Sequence, residues 1–269
     1  MLSRRAFLGA AAPVLAASGR PRVPIALELF SLRYQCEEDL EGALRAVARM
    51  GYQGVEFYRS YLDFTPERAR AVRKLLDGLQ LFCAGTHTPP AFLAPDRLPR
   101  AIELNHILGS TRIVQASSPR ITAAKGWFEV AERLTAASAR MRSEGLRAGF
   151  HNHAVEFQAV EGKIPWEIVA ANTPAEVFLQ LDIGSALSAG VDPVSCIRRY
   201  PGRSATMHVK DYSPRGKVLL GEGEAPLTKI FEAAERTGAV ECYIIEQEGS
   251  ERPMEAVERC LRNMRNAIR

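Results

Sequence analysis

Residues 149–157 read GFHNHAVEF, so two histidines, an asparagine and a glutamate fall within six positions directly after an apolar run. Imidazoles and carboxylates at that density can hold a metal ion or move protons, since both offer lone pairs and both are tuned by their surroundings. An apolar run with an abrupt polar ending recurs along the chain. GVEF carries Glu56, GTHTPP carries His87, and LDIG carries Asp182. MHVKD carries His208, Lys210 and Asp211, and IIEQE carries Glu246 and Glu248. Four of the five histidines occupy such positions. The fifth, His106, lies inside the helical stretch AIELNHILGS and receives no function.

Taken singly, each of these residues has an ordinary explanation. A glutamate after a strand is commonly solvated or beside a helix cap, and an isolated histidine is more often hydrogen-bonded than metal-bound. Taken together they do not. Asp182, His208 and Glu246 each follow apolar residues that would bury them. Burying three ionisable groups without a counter-charge costs several kcal/mol each. A divalent cation supplies that charge, so the joint pattern favours a metal site.

Eight short apolar runs must position these groups: 23–30, 54–57, 79–85, 111–116, 146–150, 177–183, 205–209 and 241–246. Between them lie segments such as LEGALRAVARMG and WFEVAERLTAASARMRSEG, whose apolar residues recur at helical spacing. Gly51, Gly78 and Gly145 stand where helices are expected to stop. Near-continuously apolar strands alternating with helices predict parallel βαβ units. Eight such units over residues 24–269 predict a single (β/α)8 TIM barrel, an α/β fold, with the active site at the C-terminal ends of the strands. An open doubly wound sheet is the competitor, but LELFSLRYQ lacks the glycine-rich phosphate loop expected after its first strand.

The formal net charge of the 269 residues is +4, and its location is informative. Arg4, Arg5, Arg20 and Arg22 stand in a leader, residues 1–23, without acidic residues; the 31 basic side chains that remain equal the 31 acidic ones. The barrel therefore lacks the surplus a nucleic-acid partner would require. The leader has a charged start, a short Ala-rich apolar run and small residues near Ala16–Ser18, the layout of an export signal too short to span a bilayer. Ser3-Arg4-Arg5-Ala6-Phe7-Leu8 resembles a twin-arginine signal, with Gly9 where lysine often follows. The expectation is a periplasmic protein without stable membrane association once the leader is removed. Homo-oligomerisation is left open. The five widely spaced cysteines suggest small buried hydrophobes rather than a disulfide framework.

LELFSLR, GYQGVEF, HNHAVEF, LDIGSALSAGVDP, HVKD, GEGE and IIEQE together resemble the xylose-isomerase-like sugar phosphate isomerase/epimerase family over nearly all the chain after residue 23. That family includes inosose dehydratases and, more remotely, the DNA-repair endonuclease IV. The resemblance implies one divalent metal held by Glu, Asp, His and Glu from strands five to eight. Here Asp182, His208 and Glu246 match three of these. Typical epimerases place a glutamate where this chain has His151, and the nearest carboxylate, Glu156, is five residues on. Either Glu156 folds back to the metal or His151 replaces it. Glu156 is the preferred ligand, leaving His151 and His153 for substrate or acid/base work. Mn²⁺, Mg²⁺ or Co²⁺ suits such an oxygen-rich set, and Zn²⁺ is also compatible.

The implied chemistry on a small carbohydrate is proton removal beside a carbonyl through a metal-stabilised enediolate. The resemblance assigns the two proton-transfer carboxylates to Glu156 and Glu246. Glu56 and His87 are then expected to contact substrate hydroxyls or to form a rim network. Lys210 either orients Asp211, steadies an anionic intermediate or forms a structural ion pair. The same enolate would expel a leaving group, giving a lyase or dehydratase acting on a keto-sugar or 3-keto-glycoside. Export makes a phosphorylated substrate the less apt choice. A non-catalytic carbohydrate-binding barrel is the remaining alternative. Endonuclease chemistry, which needs more metal-binding histidines and a basic face, is not supported.

Overall fold

Every apolar run becomes a strand of one closed parallel barrel. The strands are β1 (Ile25–Glu28), β2 (Gly54–Phe57), β3 (Phe82–Thr88), β4 (Arg112–Gln115), β5 (Arg147–His151), β6 (Phe178–Asp182), β7 (Thr206–Val209) and β8 (Cys242–Ile245). Each pairs with its neighbours in sequence order, and β8 closes on β1. The computed structural model describes residues 23–116, 118 and 120–267. The stretch expected to be an export leader, Val23 apart, lies outside the described residues.

The helices are α1 (Arg33–Met50), α2 (Pro66–Gly78), α3 (Leu98–Leu108), α4 (Ala124–Arg142), α5 (Pro165–Ala171), α6 (Ile183–Ser188), α7 (Pro193–Arg199), α8 (Leu227–Ala233) and α9 (Pro253–Ala267). Among the described residues no helix is long and apolar enough to cross a membrane. Local chemistry starts and stops them. Thr65 caps α2 by accepting from the Arg68 N–H, with Pro66 in the first turn. Gly51 ends α1 in the left-handed conformation that glycine adopts without penalty. Gly78 does not play this part. It is the last residue of α2, and the left-handed position falls on Gln80.

Strand phase decides what faces the barrel axis. In β6, Leu179 and Leu181 join the main hydrophobic core between strands and helices, as do Met207 and Val209 in β7. The alternate residues point inward, because strand side chains alternate with period two. The lower interior is filled by Val114, Phe178 and Ala205, and by Ala26, Ala84, Cys242 and Ile244. A side chain on Gly149 would collide with the Phe178 ring, 2.4 Å from the position of its Cβ. Toward the C-terminal ends the same inward phase becomes polar. Gln180 and Asp182 follow Phe178 up β6, and Thr206 and His208 rise on β7. The five cysteines are free, four of them buried.

Candidate metal centre

The strand ends bring four donors together. His151 at the end of β5, Asp182 at the end of β6, His208 on β7 and Glu246 just after β8 each offer one ligand atom, all within 4.8 Å of one another. All four residues are buried. The Asp182–His208 register places two of them side by side. Asn152 clamps the adjoining ends of β5 and β6. Its side chain accepts from the Asp182 N–H at 3.0 Å and donates to the Asp182 carbonyl.

Two atoms in this cluster have no hydrogen-bond partner, namely Nδ1 of His151 and Oδ2 of Asp182. Buried polar atoms are almost always satisfied, so two orphans within one cluster of donors leave demand that a cation could meet. The protonation states fit. Burial, together with positive charge on His208 and His87, keeps His151 well below the usual histidine range and therefore neutral. Burial opposes ionisation of Glu246, yet Lys210 and His208 outweigh it and hold that carboxyl far below the usual range. His208 donates between two carboxylates, with Nδ1 3.0 Å from Glu246 and Nε2 2.7 Å from Glu56. Burial alone would depress it; these hydrogen bonds push it up to about 9. Without a cation, a proton on His208 supplies part of the positive charge the carboxylates demand. The donors present therefore fit a divalent metal.

Glu156, preferred from the sequence as the strand-five ligand, stands outside this cluster. It belongs to a short turn, Ala154–Phe157, and its Oε2 accepts the His153 backbone N–H at 2.7 Å. The reason is local: a carboxylate at the third position of a helical turn reaches back to the cap N–H more readily than it crosses to another strand. Burial raises its pKa, with the His153 N–H acting in the opposite direction. His151 takes the strand-five position instead. His153 is half exposed and its ring stands edge-on to His151, centroids 4.9 Å apart.

Glu56 is fully buried and lies beneath the cluster rather than facing substrate. Its oxygens accept from His208 and from Gln180 Nε2 at 2.9 Å, and lie 3.1 Å from His87 Nε2. Despite burial, His87 and His208 keep its carboxyl well below the usual range. Gly85 makes room for it, since a Cβ there would lie 2.6 Å from Glu56 Oε1. A carboxylate behind a histidine fixes its tautomer and ring orientation, which is the part Glu56 would play if His208 held a metal. Glu56 also stands with Glu28, His87 and His208 as a second group of donors within 4.8 Å of one another. His87 is both stacked on His208 and exposed to the cavity above.

Lys210 and Asp211 part company. Lys210 Nζ lies 2.9 Å from Glu248, 3.6 Å from Glu246 and 3.8 Å from Asp182. Asp211 turns away and accepts backbone N–H groups from Tyr212, Gly221, Gly223 and Ala225. It thereby staples the GEGE loop, and Gly223 leaves no room there for a Cβ. Lys210 does not orient Asp211. His106 lies on α3, 3.8 Å from Glu144 at the surface.

Two site residues were not singled out from the sequence. Glu28 ends β1 fully buried, with Oε2 unpartnered. Burial and the charge of Glu56 raise its pKa well above normal. Gln180 bridges Glu56, Thr206 and His87. The available signal was period two: Gln180 shares the face of Asp182, and Glu28 that of Ala26.

Above the cluster opens a cavity of about 330 Å³ whose walls include Phe30, Tyr58, His87, His151, His153 and Glu246. It joins the donors to solvent and is of a size for a small ligand.

The comparisons agree with this architecture. A sugar phosphate isomerase/epimerase from Parabacteroides distasonis superimposes with a TM-score of 0.79 at 23% identity, covering 96% of this chain and 99% of that one. A probable 3-DHS dehydratase from Bacillus anthracis gives 0.72 at 12% identity over 90% of this chain and 99% of that one. D-psicose 3-epimerase from Clostridium cellulolyticum gives 0.68 at 15% identity over 91% and 99%. At these identities the likeness establishes the fold. No curated protein sequence matches the chain. The xylose isomerase-like TIM barrel family model matches residues 44–267, and the chain belongs to that family.

Proposed function

We propose that this protein is a divalent-metal-dependent sugar isomerase or epimerase, working by proton abstraction beside a carbonyl. The observation that carries the reading is the buried quartet His151, Asp182, His208 and Glu246, with two unpartnered atoms, at the floor of an open cavity. These four would hold the metal. When bound, such a cation polarises a carbonyl and stabilises the negative charge that enolisation develops.

The chain's own groups divide the remaining work. Glu246, kept ionised by Lys210 and His208, accepts the proton from the carbon beside the carbonyl. His153, half exposed at the cavity wall, returns a proton from the other side. Lys210 keeps a positive charge near the developing enolate, and Phe30 and Tyr58 supply an apolar wall for a sugar ring. The twin-arginine-like leader supports a periplasmic setting for this chemistry.

Metal analysis of the purified protein should give close to one bound divalent cation per chain. With that cation loaded, incubation with keto-sugars in deuterated water should introduce deuterium at the carbon beside the carbonyl. Bound sugar without exchange would reduce the protein to a carbohydrate-binding barrel.

A further inference from the structure

The cavity over the metal quartet has a neighbour on the Lys210 side. A second cleft of about 390 Å³ opens on the same face of the barrel, and Glu248 belongs to the walls of both. The first is built from the ends of β1–β5 and β8 and the second from those of β6–β8, so together they surround the barrel mouth. The Lys210–Glu248 ion pair, 2.9 Å, forms the divide between them. The second cleft is walled by Ser185, Ser188, Tyr212, Lys217 and Gln247 beside that pair.

From this adjacency we infer that the substrate is a two-ring sugar, a glycosylated ketose that passes over the Lys210–Glu248 divide: the reacting ring sits over the metal quartet and its glycosyl partner in the Tyr212 cleft. This rests on the proposed sugar chemistry and names its substrate class. Three features favour a neutral, hydroxyl-rich occupant. The two compartments are of similar size, so a single ring would leave one empty. The second offers hydroxyls from Ser185 and Tyr212 and the half-buried face of an aromatic ring, which suit the polar edge and apolar face of a sugar. Apart from Lys217, its charged side chains are already committed. Lys210 is held among Glu248, Glu246 and Asp182, Asp211 is capped by four backbone N–H groups, and the Ser185 N–H donates to Asp182 at 2.8 Å. A phosphate site draws on arginine forks or uncommitted helix-end amides. This cleft has Lys217 and, beside it, the Glu248 carboxylate, which repels a dianion.

The test is calorimetric titration of the full chain, first with Mn²⁺ and then, manganese-loaded, with fructose, fructose 6-phosphate and the fructose disaccharides turanose, lactulose and palatinose. These last are linked through O3, O4 and O6, so the panel samples three directions out of the first cavity. At least one disaccharide should bind about 10-fold more tightly than fructose, or 1.4 kcal/mol. Ser188→Trp, which fills the cleft, and Tyr212→Ala, which removes its aromatic wall, should each bring that ratio toward one. Disaccharides no tighter than fructose, a ratio unmoved by both variants, or a larger gain from the 6-phosphate would each overturn the second compartment. Failure to bind Mn²⁺ would instead strike the proposed metal chemistry, so the two failures are separable.

Discussion

The two ends of the barrel both carry charge and treat it in opposite ways. At the N-terminal end, Arg112 and Arg147, paired in register on β4 and β5, converge on Glu241 just before β8. These groups are partly solvated, with Glu241 43% exposed. Two cations share one anion at the surface, and such pairs contribute little to stability. At the C-terminal end, Glu28, Glu56, Asp182 and Glu246 are all buried, opposed among the described residues by Lys210 and histidines. There, donor atoms outnumber partners, and three of the carboxylate and imidazole atoms, on Glu28, His151 and Asp182, are left without any. The N-terminal network leaves one buried atom unmet, Arg112 Nε, whereas the C-terminal end gathers three about one cluster, and that concentration is the difference between the ends.

The comparison breaks first at Glu246. Glu246→Gln should lower turnover by about 10³-fold or more, while circular dichroism and gel filtration report an intact fold. Retained activity would remove the site. Next comes strand five. His151→Ala should abolish stoichiometric metal binding, whereas Glu156→Gln should retain it, at the expense of the His153 turn. The reverse result, read by metal analysis, would restore Glu156 as the ligand. Below that in size, Glu56→Gln should weaken metal affinity by about 10–100-fold through the misoriented His208 imidazole, with metal still binding at high concentration. An unchanged dissociation constant would leave Glu56 with no positioning role. The smallest effect belongs to the other end. Glu241→Gln should cost less than about 1 kcal/mol in chemical denaturation and leave turnover as it was, since its pairs are solvated. A large loss there would show that the two ends are not distinct in kind.

Much of this was legible along the chain. The eight runs, their helical spacers and the polar endings at Asp182, His208 and Glu246 each depend on local periodicity, which survives in one dimension. The three later strand ends were found because each is a short step from apolar to ionisable. Glu28 and Gln180 were hidden in their strands because both faces of a barrel strand are buried. An inward polar residue then interrupts an apolar run without any marker of which side it faces.

The sequence by itself determined the order and approximate place of the strands, the closed barrel they build, the family, and three of the four converging donors. Tertiary structure decided the fourth. HNHAVE offers two imidazoles and a carboxylate within six residues, and linear spacing ranks them by kind but not by reach. The turn at Ala154–Phe157 spends Glu156 on the His153 N–H, and the β5 pleat leaves His151 facing the axis. The same holds for Glu56, expected at the rim and found beneath it. The β2–β3 register shift and the gap at Gly85 lodge its carboxylate under His208. Depth along a barrel axis depends on the stagger of all eight strands, and no single strand encodes it.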